Sequence, residues 1–221
     1  MQATIQTPTN KLSNSQHFYQ QLNFSQEQNI FTDGQVMIEL NPDRTARTGI
    51  NFYDVEWESF KEKLSVPIVE LSDALVISDP NGVLIYLKKG QLPKLSVAAS
   101  TAMLGKFAGV SIETTDIATS MKFWSLFGYQ QTQGAIEKGW VALSNTTGLD
   151  ISLMKLGACP HLFFTPSLTY FNGGSNLPVI QQIREKGIPI TEEITCFSEE
   201  GIVDNIIIRD PGGLGFFVFN D

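Results

Sequence analysis

The two halves of the sequence carry the same pair of motifs. Residues 15–19 (Ser-Gln-His-Phe-Tyr) match residues 120–124 (Ser-Met-Lys-Phe-Trp), and both lie in helical hydrophobic patterns that follow a candidate strand. Residues 77–87 match residues 208–218, and each of these segments holds an Asp-Pro-x-Gly turn followed by another candidate strand. Internal duplication on this scale predicts that the chain folds as two tandem copies of one small domain.

Between these motifs, each half contains a second helix and further strands. Amphipathic patterns predict helices at 55–64 and 177–187, the second ending on a glycine suited to a helix C-terminus. Strands are predicted at 35–40, 49–53, 140–144, 151–155, 168–171 and 204–209. Small residues between the halves predict a linker at 96–105 that joins a domain at 1–95 to a domain at 106–221.

Charge and cysteine content exclude several functional classes. The net charge is −8 and the sequence has no long run of Lys or Arg, so a nucleic-acid partner or an anionic membrane surface is not expected. Two cysteines do not make a disulfide framework. The first ten residues lack a leader pattern, and no stretch approaches 18 apolar residues. These features predict a soluble cytoplasmic protein with reduced thiols.

The order and duplication of the motifs resemble a known superfamily. An early helix with Ser-x-x-Phe-aromatic, a small turn at 127–129 and a late Asp-Pro-x-Gly turn with its strand are similar to the glyoxalase/bleomycin-resistance/extradiol-dioxygenase (vicinal oxygen chelate) superfamily. The resemblance covers nearly the whole chain. It implies an α+β fold of four βαβββ modules, arranged as two domains with curved, cup-shaped mixed sheets whose concave face holds the ligand.

The resemblance also indicates where a metal ion would be held. In metal-dependent members, a module can offer His or Gln from its first strand and Glu from its last. The matching first-strand positions are Thr4, Thr48 or Gly49, Gly109, and Ser167 or Leu168, and the last-strand positions are Glu39, Tyr86, Ser152 and Phe217. Only Glu39 is a ligand of the expected kind, with Gln6 as a further weak candidate. We therefore expect no metal cofactor, the alternative being a divalent ion such as Mn, Zn or Fe.

Aromatic residues in the second half suggest a binding site for a planar molecule. Alternation places Phe217 and Phe219 on one face of the last strand, and the geometry of the superfamily points Phe217 into the cup. The candidate ligand-binding residues are Trp140, His161, Phe163, Tyr170, Arg209, Phe217 and Tyr86. For the aromatic members of this set, the simpler interpretation is that they close a hydrophobic core.

Glu39 is the one candidate catalytic residue. On the concave face it would serve as a general base, and on the convex face it would be a solvated charge. The sequence leaves both placements open. His17 lies off the apolar stripe of its helix and is expected to be exposed, and Cys159 is interpreted as a small buried hydrophobe.

Three functions remain after these exclusions. The first is metal-free binding of a small hydrophobic or aromatic molecule in the second-half cup. The second is a lyase, isomerase or dioxygenase of the same superfamily, which could require a divalent metal. The third is a structural or interaction protein whose cups are filled by side chains. The expected partner is a small-molecule ligand, and the expected assembly is a monomer or a homodimer.

Overall fold

The computed structural model describes residues 1–93, 95 and 103–221. The first half contains β1 (Gln2–Pro8), α1 (Leu12–Gln21), β2 (Ser25–Glu27), β3 (Ile30–Thr32), β4 (Met37–Asn41), β5 (Gly49–Tyr53), α2 (Trp57–Lys63), β6 (Val69–Glu70), β7 (Ala74–Ser78) and β8 (Leu84–Lys88). The second half contains β9 (Lys106–Thr114), α3 (Ile117–Ser125), β10 (Gln130–Ala135), β11 (Trp140–Ser144), β12 (Ile151–Lys155), β13 (Ser167–Phe171), α4 (Asn176–Glu185), β14 (Ile190–Ile194), β15 (Asn205–Arg209) and β16 (Gly215–Phe219).

Each half forms one 8-stranded mixed sheet from two βαβββ modules. The strand order is β2-β3-β4-β1-β5-β8-β7-β6 in the first half and β10-β11-β12-β9-β13-β16-β15-β14 in the second. The first strands of the two modules pair antiparallel at the centre of each sheet, and each first strand pairs in parallel with the last strand of its own module. The two modules therefore pair within each half, and the predicted α+β architecture is confirmed.

The two faces of each sheet differ in chemistry because side chains alternate along a strand. In β5, Ile50 and Phe52 belong to the main hydrophobic core, whereas Asn51 and Tyr53 point to the other face. We call this second face, opposite the main core, the cup face. It is the face that the superfamily resemblance predicts to be concave.

One hydrophobic core joins the two halves. Phe52 of β5 stacks on Phe127 of the second half, with ring centroids 5.1 Å apart. Phe18 of α1 packs against Phe216 of β16 at 5.9 Å. Phe18 of the duplicated helix motif thus contacts the opposite half of the molecule.

The duplicated turns contact the duplicated helices reciprocally. Asp210, in the turn of the second half, accepts hydrogen bonds of 2.9 Å from Tyr19 and from Thr7 in the first half. In the other direction, Asn81 in the turn of the first half donates to Ser120 at the start of the second-half helix, at 3.1 Å. The repeats that predicted duplication are therefore also the residues that hold the two halves together.

The main strands and helices lie where the sequence predicts them. The sequence did not predict the short or polar strands β2, β3, β6, β10 and β14, which lie at and near the sheet edges, where hydrophobic alternation is weak.

The domain ranges 1–95 and 106–221 stay predictions, and most of the linker predicted at 96–105 lies outside the described residues. No helix in the described part of the chain is long and apolar enough to cross a membrane.

Candidate functional site

A polar cluster surrounds Glu39 on the cup face of the first half. One carboxylate oxygen, Oε2, accepts hydrogen bonds from Asn51 Nδ2 at 2.8 Å, from Tyr53 OH, and from Thr4 Oγ1 at 3.4 Å. The other oxygen, Oε1, forms an ion pair with Lys88 Nζ at 3.1 Å. We call these five residues the Lys88–Glu39 cluster. The structure therefore decides between the two placements of Glu39 and puts it in the cup.

Strand register brings this cluster together from four strands. Thr4 of β1 lies opposite Asn51 of β5, Glu39 of β4 lies next to Gln6 of β1, and Lys88 ends β8 beside β5. The amide of Gln6 has other hydrogen-bond partners: its nitrogen donates to the backbone carbonyl of Arg47 at 3.0 Å, and its oxygen accepts from Asn41 at 3.0 Å.

Tyr86 lies close to the cluster but outside it. Its hydroxyl donates to the same Arg47 carbonyl at 3.3 Å and not to Glu39. Burial raises the pKa of Tyr86, and the hydrogen bond to Arg47 opposes this shift. The side chain therefore acts as a protonated hydrogen-bond donor at neutral pH.

Tyr53 also remains protonated. Burial raises its pKa well above the ordinary value, and the charge of Glu39 and the hydrogen bond to that carboxylate raise it further. Tyr53, Asn51 and Thr4 direct donors at Glu39 Oε2, and Lys88 directs one at Oε1. These donors compete with a substrate proton for the carboxylate oxygens, so this arrangement disfavours Glu39 as a base.

An aromatic cluster occupies the cup face of the second half. Phe217 of β16 stacks on Phe219, with ring centroids 5.6 Å apart, and Phe163 packs on Phe217 at 5.0 Å. His161 contacts the edges or faces of three rings, at 5.7 Å from Phe217, 5.3 Å from Phe219 and 6.0 Å from Phe197. We call these residues the His161 cluster.

His161 and Phe163 belong to a segment, residues 157–166, that crosses the cup face between β12 and β13. Backbone N–H groups tie it to the sheet: that of Gly157 donates to Glu113 at 3.1 Å, and that of Leu162 donates to Glu192 at 2.8 Å. Burial raises the pKa of the Cys159 thiol in this segment to about 11, and the charge of Glu113 adds to the effect. Cys159 is therefore a protonated thiol and not an activated nucleophile.

The imidazole of His161 has no hydrogen-bond partner among the residues that the structure describes, and both Nδ1 and Nε2 are shielded from solvent. Burial lowers the pKa of His161, although the charges of Glu192 and Glu113 act in the opposite direction. The hydroxyl of Ser167, one of the predicted first-strand positions, is also buried and unpaired. A neutral imidazole among aromatic rings can donate one hydrogen bond and accept another.

The structure separates the other predicted ligand-binding residues. Trp140 lies at the rim of the cup face, paired across strands with Met154, and is 37% exposed. The guanidinium of Arg209 lies over the ring of Phe164 at 4.8 Å. Tyr170 points to the opposite face, where its hydroxyl donates to Asp33 of the first half at 3.0 Å. Tyr170 thus joins the two halves and is not part of the His161 cluster.

Sequence reasoning missed several residues of these clusters. Asn51 and Tyr53 alternate with the core residues of β5, and Lys88 lies two residues after Tyr86, so their shared face follows from alternation once the strands are known. Which strands lie next to each other is a property of the sheet order and carries no local signal. Phe197, which lies in a turn after β14, has no such signal either.

Comparison with known proteins supports the fold. The sequence matches no protein-family model and no curated protein. Among solved structures, a catechol 2,3-dioxygenase matches 97% of this chain and 85% of its own, with a TM-score of 0.55 and 14% identity. The halotolerant catechol dioxygenase BphC matches 98% of this chain and 85% of its own, with a TM-score of 0.55 and 13% identity. An extradiol ring-cleaving dioxygenase from B. fuscum matches 100% of this chain and 72% of its own, with a TM-score of 0.59 and 14% identity.

The chain has the extradiol dioxygenase fold. Identities of 13–14% show the fold alone, and the function depends on the residues at the site.

The residues at the positions that the superfamily resemblance assigns to metal ligands do not form a metal-binding set. In the second half these positions hold Gly109, Ser152, Phe217, and Ser167 or Leu168, none of which is a His or a carboxylate. In the first half Glu39 accepts hydrogen bonds from neighbouring donors, and Lys88 brings a positive charge against it. Within the ranges that the structure describes, no group of three or more His, Cys, Asp or Glu residues is placed to hold a metal.

Proposed function

We propose that the chain binds a small hydrophobic or aromatic molecule on the second-half cup face without using a metal ion. The observation that carries this proposal is the His161 imidazole, which lies among three aromatic rings with both nitrogens unpaired. A buried polar group without a partner costs roughly 1–3 kcal/mol. A ligand that hydrogen-bonds to this imidazole recovers that energy.

The surroundings of His161 favour a planar ligand with one polar group. Phe163, Phe217 and Phe219 present ring faces and edges for stacking. Small-molecule sites combine such apolar walls with a few polar groups that fix orientation.

The structural neighbours suggest a second candidate, a ring-cleaving dioxygenase or related enzyme. Their names describe catechol and extradiol dioxygenases. The ion pair of Glu39 with Lys88 and the lack of His or carboxylate at the second-half positions both weigh against this candidate. Binding without chemistry is therefore the better-supported function.

The proposal is tested by adding naphthol or naphthalene, which differ by one hydroxyl, to protein labelled with ¹⁵N-histidine and recording NMR spectra of the histidine ring nitrogens. The chain has two histidines, and the exposed His17 serves as an internal control in the same NMR spectrum. We expect naphthol to shift the ring nitrogens of His161 and to leave those of His17 unchanged. Its affinity should exceed that of naphthalene by about 0.5–1.5 kcal/mol, the value of one hydrogen bond.

Variants distinguish the contribution of the imidazole to ligand binding from that of the aromatic rings. In H161A the advantage of naphthol over naphthalene should disappear, while H17A should bind both molecules as the native protein does. The proposal is overturned if neither molecule shifts His161, or if H161A keeps the full preference for naphthol. The first of these results would favour a structural role in which the second cup is filled by its own side chains.

The predicted monomeric or homodimeric state and the cytoplasmic location stay predictions. Size-exclusion chromatography with light scattering tests the assembly, with and without the aromatic ligand.

A further inference from the structure

The ion pair of the Lys88–Glu39 cluster differs from the other ion pairs of the described residues. The Lys88 and Glu39 side chains are only 15% and 19% exposed, whereas the other three pairs lie on the surface with side chains 31–84% exposed. Lys88 Nζ also lies 3.3 Å from the hydroxyl of Tyr53 and 5.1 Å from the centre of its ring. The ammonium group is thus embedded in the cup face and not held at its edge.

The rest of the cluster includes oxygen atoms suited to a hard cation. The Glu39 carboxylate and the Thr4 hydroxyl lie together on the first-half sheet, and the Asn51 amide nitrogen donates to both of them. Carboxylate and hydroxyl oxygens are ligands that Mg²⁺, Ca²⁺ and Mn²⁺ prefer. The Asn51 amide oxygen is buried and has no hydrogen-bond partner among the described residues.

We propose that Lys88 is the resident cation of the first-half site, where its ammonium takes the place of a divalent metal ion against Glu39. The position that the superfamily uses for a carboxylate ligand is retained in Glu39, but its charge is neutralised from within the chain. A second cation would be repelled by the ammonium at close range. The site therefore excludes metal ions as long as Lys88 is present.

This arrangement keeps a fixed positive charge in the cup without any supply of metal. A lysine ammonium has three N–H donors, and the structure assigns one to Glu39 and one to Tyr53. The third donor is left for an oxygen of a molecule in the first cup. This inference does not rest on the proposed function, because the His161 cluster lies in the other half of the chain.

Manganese binding measured by electron paramagnetic resonance tests the proposal, since the signal of free Mn²⁺ is lost when the ion is bound. We compare the native protein with K88A, the double variant K88A/E39Q and K89A. Lys89 is the matched control: it is the next residue, it is exposed, and it lies over the Trp57 ring outside the cluster. K89A changes the net charge as K88A does and leaves the cup face unaltered.

We expect the native protein and K89A to bind Mn²⁺ weakly and alike. K88A should bind one Mn²⁺ at least about tenfold more tightly, which corresponds to roughly 1.4 kcal/mol. K88A/E39Q should return to the native value. Circular dichroism of each variant checks folding, and K88Q, whose side chain is uncharged, polar and one atom shorter than that of lysine, provides the same comparison if K88A unfolds.

Three results would overturn the proposal. The native protein could bind Mn²⁺ as tightly as K88A, in which case Lys88 does not exclude the metal. K88A could show no gain over K89A, so that the cluster is no cation site. The gain could also persist in K88A/E39Q, which would place the bound ion elsewhere. The ¹⁵N-histidine spectra report on the His161 cluster independently, so failure of one proposal does not imply failure of the other.

Discussion

The hydroxyl of Tyr19 in the first half donates a 2.9 Å hydrogen bond to the carboxylate of Asp210 in the second half. Both groups are buried, and Thr7 donates to the same carboxylate oxygen. Burial raises the pKa of Asp210, while the hydrogen bonds from Thr7, Leu214 and Tyr19 oppose the shift. This pair ties the helix motif of one half to the turn motif of the other.

Loss of this hydrogen bond should destabilise the whole molecule. Y19F retains the ring and removes the donor, so we expect the free energy of unfolding to fall by roughly 1.5–3 kcal/mol, the range for a hydrogen bond to a charged group. Urea denaturation measures the change. Q20A, an exposed neighbour in the same helix, should change stability by less than about 0.5 kcal/mol. Equal stability of Y19F and native protein would contradict the role assigned to this pair.

Gly212 in the same turn packs directly on the first half. A Cβ atom at this position would fall well inside contact distance of the Pro8 carbonyl oxygen and the Thr7 hydroxyl. We expect G212A to lower the free energy of unfolding by about 1–3 kcal/mol, because backbone must move to admit the methyl group. G90A is the matched control, since no atom of the described residues lies within 4 Å of its Cβ position. If both variants unfold at the same urea concentration, the close approach is not a constraint.

His161 should make stability depend on pH. Its pKa is lowered in the folded protein, so the folded state binds fewer protons than the unfolded state below the ordinary histidine value of about 6.5. The contribution of the neutral His161 imidazole to the free energy of unfolding is complete above that value and is lost as the pH falls through the lowered pKa. We therefore expect the native protein to lose more stability than H161Q between about pH 7 and pH 5. Parallel curves for native protein and H161Q would exclude this effect.

Cys159 should react slowly with alkylating reagents at neutral pH. Only the thiolate is reactive, and burial raises the pKa of this thiol to about 11. In C196S, which leaves Cys159 as the one cysteine, the rate of reaction with iodoacetamide should rise continuously with pH toward that value. Mass spectrometry follows the adduct. A rate that levels off near neutral pH would show a lowered pKa and would reopen the case for a reactive thiol.

The fold could be predicted from the sequence because its signals are local and duplicated. The helix motif and the Asp-Pro-x-Gly turn each depend on neighbouring residues, and their repetition implies two similar domains. Alternation in the last strand also separates Phe217, on the cup face, from Phe216, in the main core.

The candidate site was only partly predictable because it depends on pairing across strands. The sequence marks Glu39 and His161 as unusual residues, but the ion pair of Glu39 involves Lys88, which is far away in sequence and on another strand. Composition alone groups Tyr170 with the ligand-binding aromatics. Its neighbour Thr169 bonds to Ser111 on the cup face, so alternation sends Tyr170 to the opposite side.

The reciprocal contacts between turn and helix have an evolutionary consequence. When the same surface of each half recognises its counterpart in the other, the interface is isologous, as in a twofold-symmetric dimer. A gene for a single unit would encode a protein able to self-associate through these contacts, and fusion of two copies would convert that homodimer into one chain. After fusion the two copies are free to diverge, which accounts for a charged pair in one cup and an aromatic cluster in the other.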